Sequence, residues 1–305
     1  RMRLRAGNRP RRVARQASAT TRASGTSCRT RRPPLGTARA RHHLPLEDQR
    51  IVEGKTLTAA GGEVLGGTGS ALLLVSALTY RTEGTPAAVV AVALVLVAVG
   101  AIGARLAPGR TSGGGAVDAA VLGCTALVFA AGIAAIGTGR WEAAGAAAIA
   151  GAALLGCQAL RLKASVWCLA PPERRPFAAL TLSTALVEGT AALVLYQLAT
   201  EGYRHALAVA MAMLIVLRLF LWLACLKRLR GAQLPATIMA RLDRFNTAFV
   251  FFGNAVPAIL VANSIFTPGL MHGMVAAAAV VGLVAGWHLK ITLRADIRCR
   301  TQERP

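Results

Sequence analysis

From about residue 61 to 293 the chain is a succession of eight apolar stretches, each roughly 17 to 25 residues long, parted by short loops whose charge alternates. A hydrocarbon core about 30 Å thick requires about 20 apolar residues per helical crossing, and a backbone in lipid must satisfy its own hydrogen bonds. No period-2 alternation argues for a barrel. The expected spans are Gly61–Tyr80, Pro86–Leu106, Ala116–Gly137, Trp141–Leu162, Phe177–Leu198, Tyr203–Leu226, Leu242–Phe266 and Leu270–Leu293. The reading is an all-α polytopic membrane protein, an eight-helix transmembrane bundle.

Loop charge sets the expected orientation, because short loops rich in Lys and Arg stay on the cytoplasmic side. One set of connections is basic: Arg105 and Arg110; Arg161, Lys163, Arg174 and Arg175 against Glu173; Lys227, Arg228, Arg230, Arg241 and Arg244 against Asp243. The C-terminal segment, with Lys290, Arg294, Arg298, Arg300 and Arg304 against Asp296 and Glu303, belongs with them. The other set is neutral: Arg81 with Glu83, Arg140 with Glu142, Arg204 with Glu201, and no Lys or Arg between Phe266 and His272. Both termini are therefore expected on the cytoplasmic side of the membrane.

The net charge of +22 divides unevenly. Residues 1–50 hold fourteen Arg against Glu47 and Asp48, which is 14 − 2 = +12 and leaves 22 − 12 = +10 for the rest. With few large apolar residues, residues 1–55 are expected to form a disordered Arg-rich tail. Such an arm suits anionic lipid, but without interleaved aromatics for base stacking no nucleic-acid partner is expected. The first apolar run is not followed by a small-residue cleavage site, so a secretory signal is not expected.

The six cysteines, Cys28, Cys124, Cys157, Cys168, Cys225 and Cys299, show no C-x-x-C spacing. Of the five histidines, His42 and His43 lie in the tail, and His205, His272 and His288 sit at helix ends. Neither haem nor a metal site is expected in this chain.

Glu188 is the one acid deep in a span, and Arg218 lies in the next helix. Counted from the hairpin at Gly202, their depths differ by only about 3 Å at 1.5 Å per residue, so they are expected to be able to pair. A charge at that depth costs on the order of 2.5–3.5 kcal/mol on insertion scales and marks either a helix lock or a proton or ligand site. The seventh span adds Asn246, Asn254 and Pro257, and the proline should free the carbonyl of Gly253 and kink the helix near mid-membrane. Glu188, Arg218 and Asn254 are the candidate quinol or proton site. Gly62 and Gly66 stand in small-x-x-x-small register for close helix approach. Trp141, Trp222 and Trp287 are expected at the membrane boundaries, and Lys290, one turn inside the end of the last span, is expected to snorkel to the surface.

Four segments carry a family resemblance. They are Gly66-Gly67-Thr68-Gly69-Ser70-Ala71-Leu72-Leu73-Leu74; Cys157-Gln158-Ala159-Leu160-Arg161-Leu162-Lys163-Ala164 running on to Pro171 and Arg174-Arg175-Pro176; Leu186-Val187-Glu188-Gly189; and Ala285-Gly286-Trp287-His288-Leu289-Lys290-Ile291-Thr292-Leu293 with Arg294-Ala295. In order and spacing the chain resembles the membrane anchor subunits of DMSO reductase and phenylacetyl-CoA:acceptor oxidoreductase, relatives of polysulfide reductase membrane subunits. The resemblance covers about residues 55–296. It implies a subunit that takes electrons from menaquinol and passes them to an iron–sulfur partner subunit, which feeds a molybdopterin catalytic subunit; those cofactors would sit on the partners. The sequence departs from the family around Gly100-Ala101-Ile102-Gly103, where the family's acid after span two is absent, and after Ala295, where aromatic and glycine residues are missing.

A small-solute or proton-coupled membrane transporter using Glu188 and Arg218 is the alternative. No convincing internal repeat supports it, since the last four spans hold the polar groups and the first four do not. A membrane hydrolase would need a motif such as H-E-x-x-H, and none is present.

Overall fold

The computed structural model describes residues 46–80, 85–106, 115–165, 174–200, 204–231 and 236–298. The chain divides into Arg1–His43, which lies outside the described residues, and Leu44–Pro305, which holds every element below. The described elements are α1 (Leu46–Thr79), α2 (Ala87–Leu106), α3 (Gly115–Thr138), α4 (Trp141–Ser165), α5 (Arg175–Thr200), α6 (His205–Gly231), α7 (Ala236–Val250), a π-helical segment (Phe251–Ala255), α8 (Val256–Phe266), a 3₁₀ turn (Pro268–Leu270) and α9 (Met271–Arg298). Eight of these runs are long and apolar enough to cross a membrane, with α7, the π segment and α8 together making the seventh. The protein is an all-α, multi-pass membrane bundle. Among the expected loop charges, Arg81, Glu83, Arg110, Glu173, Glu201, Arg300, Glu303 and Arg304 lie outside the described residues, as do Cys28, Cys168, Cys299, His42 and His43.

Helix α1 begins at Leu46, earlier than the end expected for the tail at residue 55. No proline interrupts the chain from Leu46 to Ala60, and the hydropathy that marks a span says where lipid begins, not where a helix does. By the same distinction the helix carrying the seventh span begins at Ala236, ahead of the span itself, which runs from Met239 where Leu242 was expected.

The bundle is built around α1 and α5, whose crossing windows are 67% and 61% buried, against 17% for α3, which is therefore the peripheral, lipid-facing helix. Small residues make the central contacts possible. A Cβ on Gly100 would lie 2.5 Å from the backbone nitrogen of Gly66 and 2.6 Å from the carbonyl oxygen of Gly62, so α1 and α2 cross backbone to backbone. Gly189 does the same for α5 against α1, where an added Cβ would sit 2.5 Å from the carbonyl carbon of Ala71. The expected small-residue register of Gly62 and Gly66 is thus the α1–α2 seam.

Two apolar clusters fill the interior. One joins α1, α2, α3, α4, α5, α6, α8 and α9 through residues such as Leu72, Val97, Val128, Leu154, Val187, Ile215, Val261 and Ala278. The other closes the end carrying Arg175, Arg230 and Arg241, here termed the basic end, and includes Phe177, Leu180, Trp222, Leu229, Phe249 and Leu289. Arg161 on α4 bridges Glu63 on α1 at 3.3 Å and Asp118 on α3 at 3.2 Å, so this loop-counted arginine ties three helices near that end.

Candidate functional site

The two apolar clusters leave a polar layer between them. Fully buried in it are Thr68, Glu188, Arg218 and Asn254. Glu188 comes from the middle of α5, and its Oε2 accepts hydrogen bonds from the Thr68 hydroxyl of α1 at 2.7 Å and from the Lys290 ammonium of α9. The indole N–H of Trp287 donates to the Thr68 oxygen at 3.2 Å, and the hydroxyl's proton has two acceptors within reach, Glu188 Oε2 and, at 3.0 Å, the Val64 carbonyl of its own helix. The side chain of Gln158 on α4 closes the cluster beside Gly66 and Gly67; a Cβ on Gly67 would lie 3.1 Å from Gln158 Oε1 and 3.3 Å from Lys290 Nζ. Gly286 on α9 makes room for the acid, since a Cβ there would stand 2.6 Å from Glu188 Oε1.

Oε1 is the notable atom. Among the described residues it receives no hydrogen bond, although Glu188 is 0% exposed. A buried polar oxygen without a partner costs on the order of 1–3 kcal/mol, which makes this atom the natural acceptor for a ligand's hydroxyl or amide proton.

Arg218 does not pair with Glu188 as expected. Its Nε donates to Asn254 Oδ1 at 3.0 Å, its Nη1 to the Gly282 carbonyl at 3.1 Å, and its Nη2 to the Gly253 carbonyl. The reason is the lean of helical side chains toward their own N-terminus. Helix α5 runs away from the basic end and α6 runs toward it, so from matched backbone depths Glu188 leans to the basic end and Arg218 leans the other way. Helix α9 runs parallel to α6, so Lys290 leans inward and meets Glu188, where a snorkelling side chain would have had to turn against its Cα–Cβ direction. Lys290 is therefore not at the surface but in the ion pair, its side chain 11% exposed.

The interruption of the seventh span is where the proline predicts it, and the freed acceptors are used. Gly253, whose carbonyl Pro257 cannot satisfy, is held by Arg218, and Asn254 Nδ2 donates to the carbonyl of Phe249 at 2.7 Å across the π-helical widening. Arg218 also lies 5.3 Å from the Phe249 ring centre, within cation–π range. Asn246 accepts the indole N–H of Trp222 at 2.8 Å.

Of the three tryptophans expected at the membrane boundaries, two differ from expectation. Trp141 is 61% exposed, as a boundary indole should be, but Trp222 is fully buried, edge-on to Phe245 and Phe249, and Trp287 joins the polar cluster. An indole leaves the interface when its N–H finds a buried acceptor, and Asn246 and Thr68 supply the two. Among the described residues, no group of three His, Cys, Asp or Glu side chains is placed to hold a metal ion.

Sequence reasoning found Glu188, Arg218 and Asn254 but not Thr68, Gln158, Gly286 or the inward Lys290. A signal was present: each of the four segments that carry the family resemblance contributes one member of the Glu188 cluster, through Thr68, Gln158, Glu188 and the Trp287–Lys290 turn. Gly100, in the acid-free segment Gly100–Gly103, lies at the α1–α2 crossing, where an added Cβ would meet the α1 backbone. No protein-family model, curated protein or solved structure matches this chain.

Proposed function

We propose that this chain is the integral membrane anchor subunit of a molybdopterin oxidoreductase complex of the DMSO reductase type, passing electrons from menaquinol to an iron–sulfur partner subunit. The observation that carries the reading is the convergence of four separated segments on one buried carboxylate with an unpartnered oxygen. Glu188 accepts a quinol hydroxyl through Oε1 and takes its proton, while Thr68 and Lys290 hold the carboxylate through Oε2. Arg218 and Asn254 keep the interrupted seventh span packed at neighbouring depth, and the Arg218 cation is near enough for Glu188 to act on it electrostatically. Electrons leave to the partner's clusters; the basic end, with Arg175, Arg230 and Arg241 among its cations, is the surface on which such a partner would dock.

Titration of the detergent-solubilised protein with a quinol analogue tests the site. The isosteric Glu188→Gln should weaken binding by at least tenfold, whereas Thr68→Val, which also loosens the cluster but keeps the carboxylate, should bind the analogue within about threefold of wild type, which separates loss of the acceptor from general destabilisation. Equal affinity in wild type and Glu188→Gln would refute the ligand role. Co-purification of an iron–sulfur protein bears separately on the anchor role.

The interrupted seventh span favours a second reading, a small-solute or proton-coupled transporter, since broken helices line many substrate sites. Against it, the Gly253 and Phe249 carbonyls that the interruption would offer are already taken by Arg218 and Asn254. Solute-dependent uptake into vesicles holding the purified chain alone would reverse that preference.

A further inference from the structure

We propose that Lys290 is a charge-operated gate on Glu188, docked while the carboxylate is ionised and withdrawn toward the basic end when the carboxylate takes up a proton. The proposal deepens the proton-accepting role given above to Glu188 and rests on it. Glu188 is wholly buried, whereas the Lys290 side chain is 11% exposed, so the ammonium stands between the acid and the basic end. Its stem emerges from α9 about one turn, roughly 6 Å, closer to that end than Gly286, which touches the acid. On its other side is Gly67, where an added Cβ would lie 3.3 Å from Lys290 Nζ, so the absent side chain leaves room for the ammonium beside Gln158.

The charges around the acid leave the ion pair as the latch. Among the described residues, the helices packed on α5 present Lys290 from α9 and Arg218 from α6, while α1 and α4 offer Thr68 and Gln158, which do not titrate. Arg218 is fixed by three acceptors of its own and cannot follow a change at Glu188. Lys290 has Glu188 as its only hydrogen-bonded partner among the described residues. When a ligand hydroxyl gives its proton to Oε1, the ligand O–H bond breaks, a carboxyl O–H bond forms, and the attraction holding the ammonium is lost. An unpaired ammonium in a low-dielectric interior is expensive, and Lys290 stands near the end of the last span, which closes at Leu293, so it withdraws. The acid then releases its proton to the same end, and the restored carboxylate draws the ammonium back. Protons from this site thus leave on the basic side only.

Acylation of the full-length protein in phosphatidylcholine nanodiscs with a water-soluble amine-reactive ester, read by peptide mass spectrometry, tests the gate without any quinol. Lys163 and Lys227 serve as references. Lys290 should be protected in wild type and become at least tenfold more reactive in Glu188→Gln, which removes the charge and keeps the shape. Thr68→Val removes a hydrogen bond and leaves the charge, so Lys290 should stay protected there. Protection of Lys290 in Glu188→Gln, free reactivity in wild type, or exposure in Thr68→Val would each overturn the proposal; the last applies even if Glu188→Gln fails to fold. Because no ligand is added, failure here leaves the quinol reading standing, and loss of analogue binding leaves this result intact.

Discussion

The buried arginine shows how a single residue can be read correctly for cost and wrongly for partner. Its charge must be compensated at that depth, and the helix count places it level with Glu188. What decides the outcome is the direction of the side chain, which a count of residues omits. Arg218 instead satisfies a proline-freed carbonyl, an intact helical carbonyl and an amide oxygen with one planar fork. A lysine offers a point charge on a flexible stem and cannot meet three fixed acceptors at once. Arg218→Lys should therefore lower stability by on the order of 2–3 kcal/mol, measured by thermal unfolding in detergent, since hydrogen bonds to a charged group are worth about 1.5–3 kcal/mol each. An unchanged melting temperature would mean that those bonds contribute nothing net.

At the level of helices, existence and number were plain in the sequence because lipid demands long apolar runs. Boundaries were less so: Leu46 and Ala236 begin helices whose first turns are not apolar enough to be counted as spans. The pairing of helices was legible only at α1 and α2, where glycine spacing announces a close crossing. Gly100→Ala would place a methyl group 2.5 Å from the α1 backbone and should cost about 1–3 kcal/mol by overpacking, with loss of folded protein in detergent. Gly123→Ala on peripheral α3 meets nothing within 4 Å and should be neutral or gain up to about 1 kcal/mol from helix propensity. If the two substitutions behaved alike, the seam would not be the device that holds these helices. The Glu188 cluster lay hidden for a related reason: its members come from α1, α4, α5 and α9, and hydropathy gives no order of helices around a bundle.

For the molecule as a whole, charge and polarity are segregated along the axis, with salt-bridged cations at one end and a polar layer held between two apolar clusters. The sidedness predicted from loop charge can be measured on a cysteine-free variant in sealed vesicles. Gly231→Cys at the basic end and Thr138→Cys at the other, both exposed, should react with an impermeant maleimide from opposite sides. Labelling of both from one side would break the alternating topology.

The central position of α1 bears on how such a protein is made. Among the eight spans it is the least apolar and the most enclosed by its neighbours, while α2, which follows it, is the most apolar. During synthesis α1 leaves the ribosome with little affinity of its own for lipid, and the partner it crosses at Gly100 has not yet emerged. The expected consequence is that the two enter the bilayer as one hairpin, and that α1 expressed without α2 inserts less completely than α2 expressed without α1.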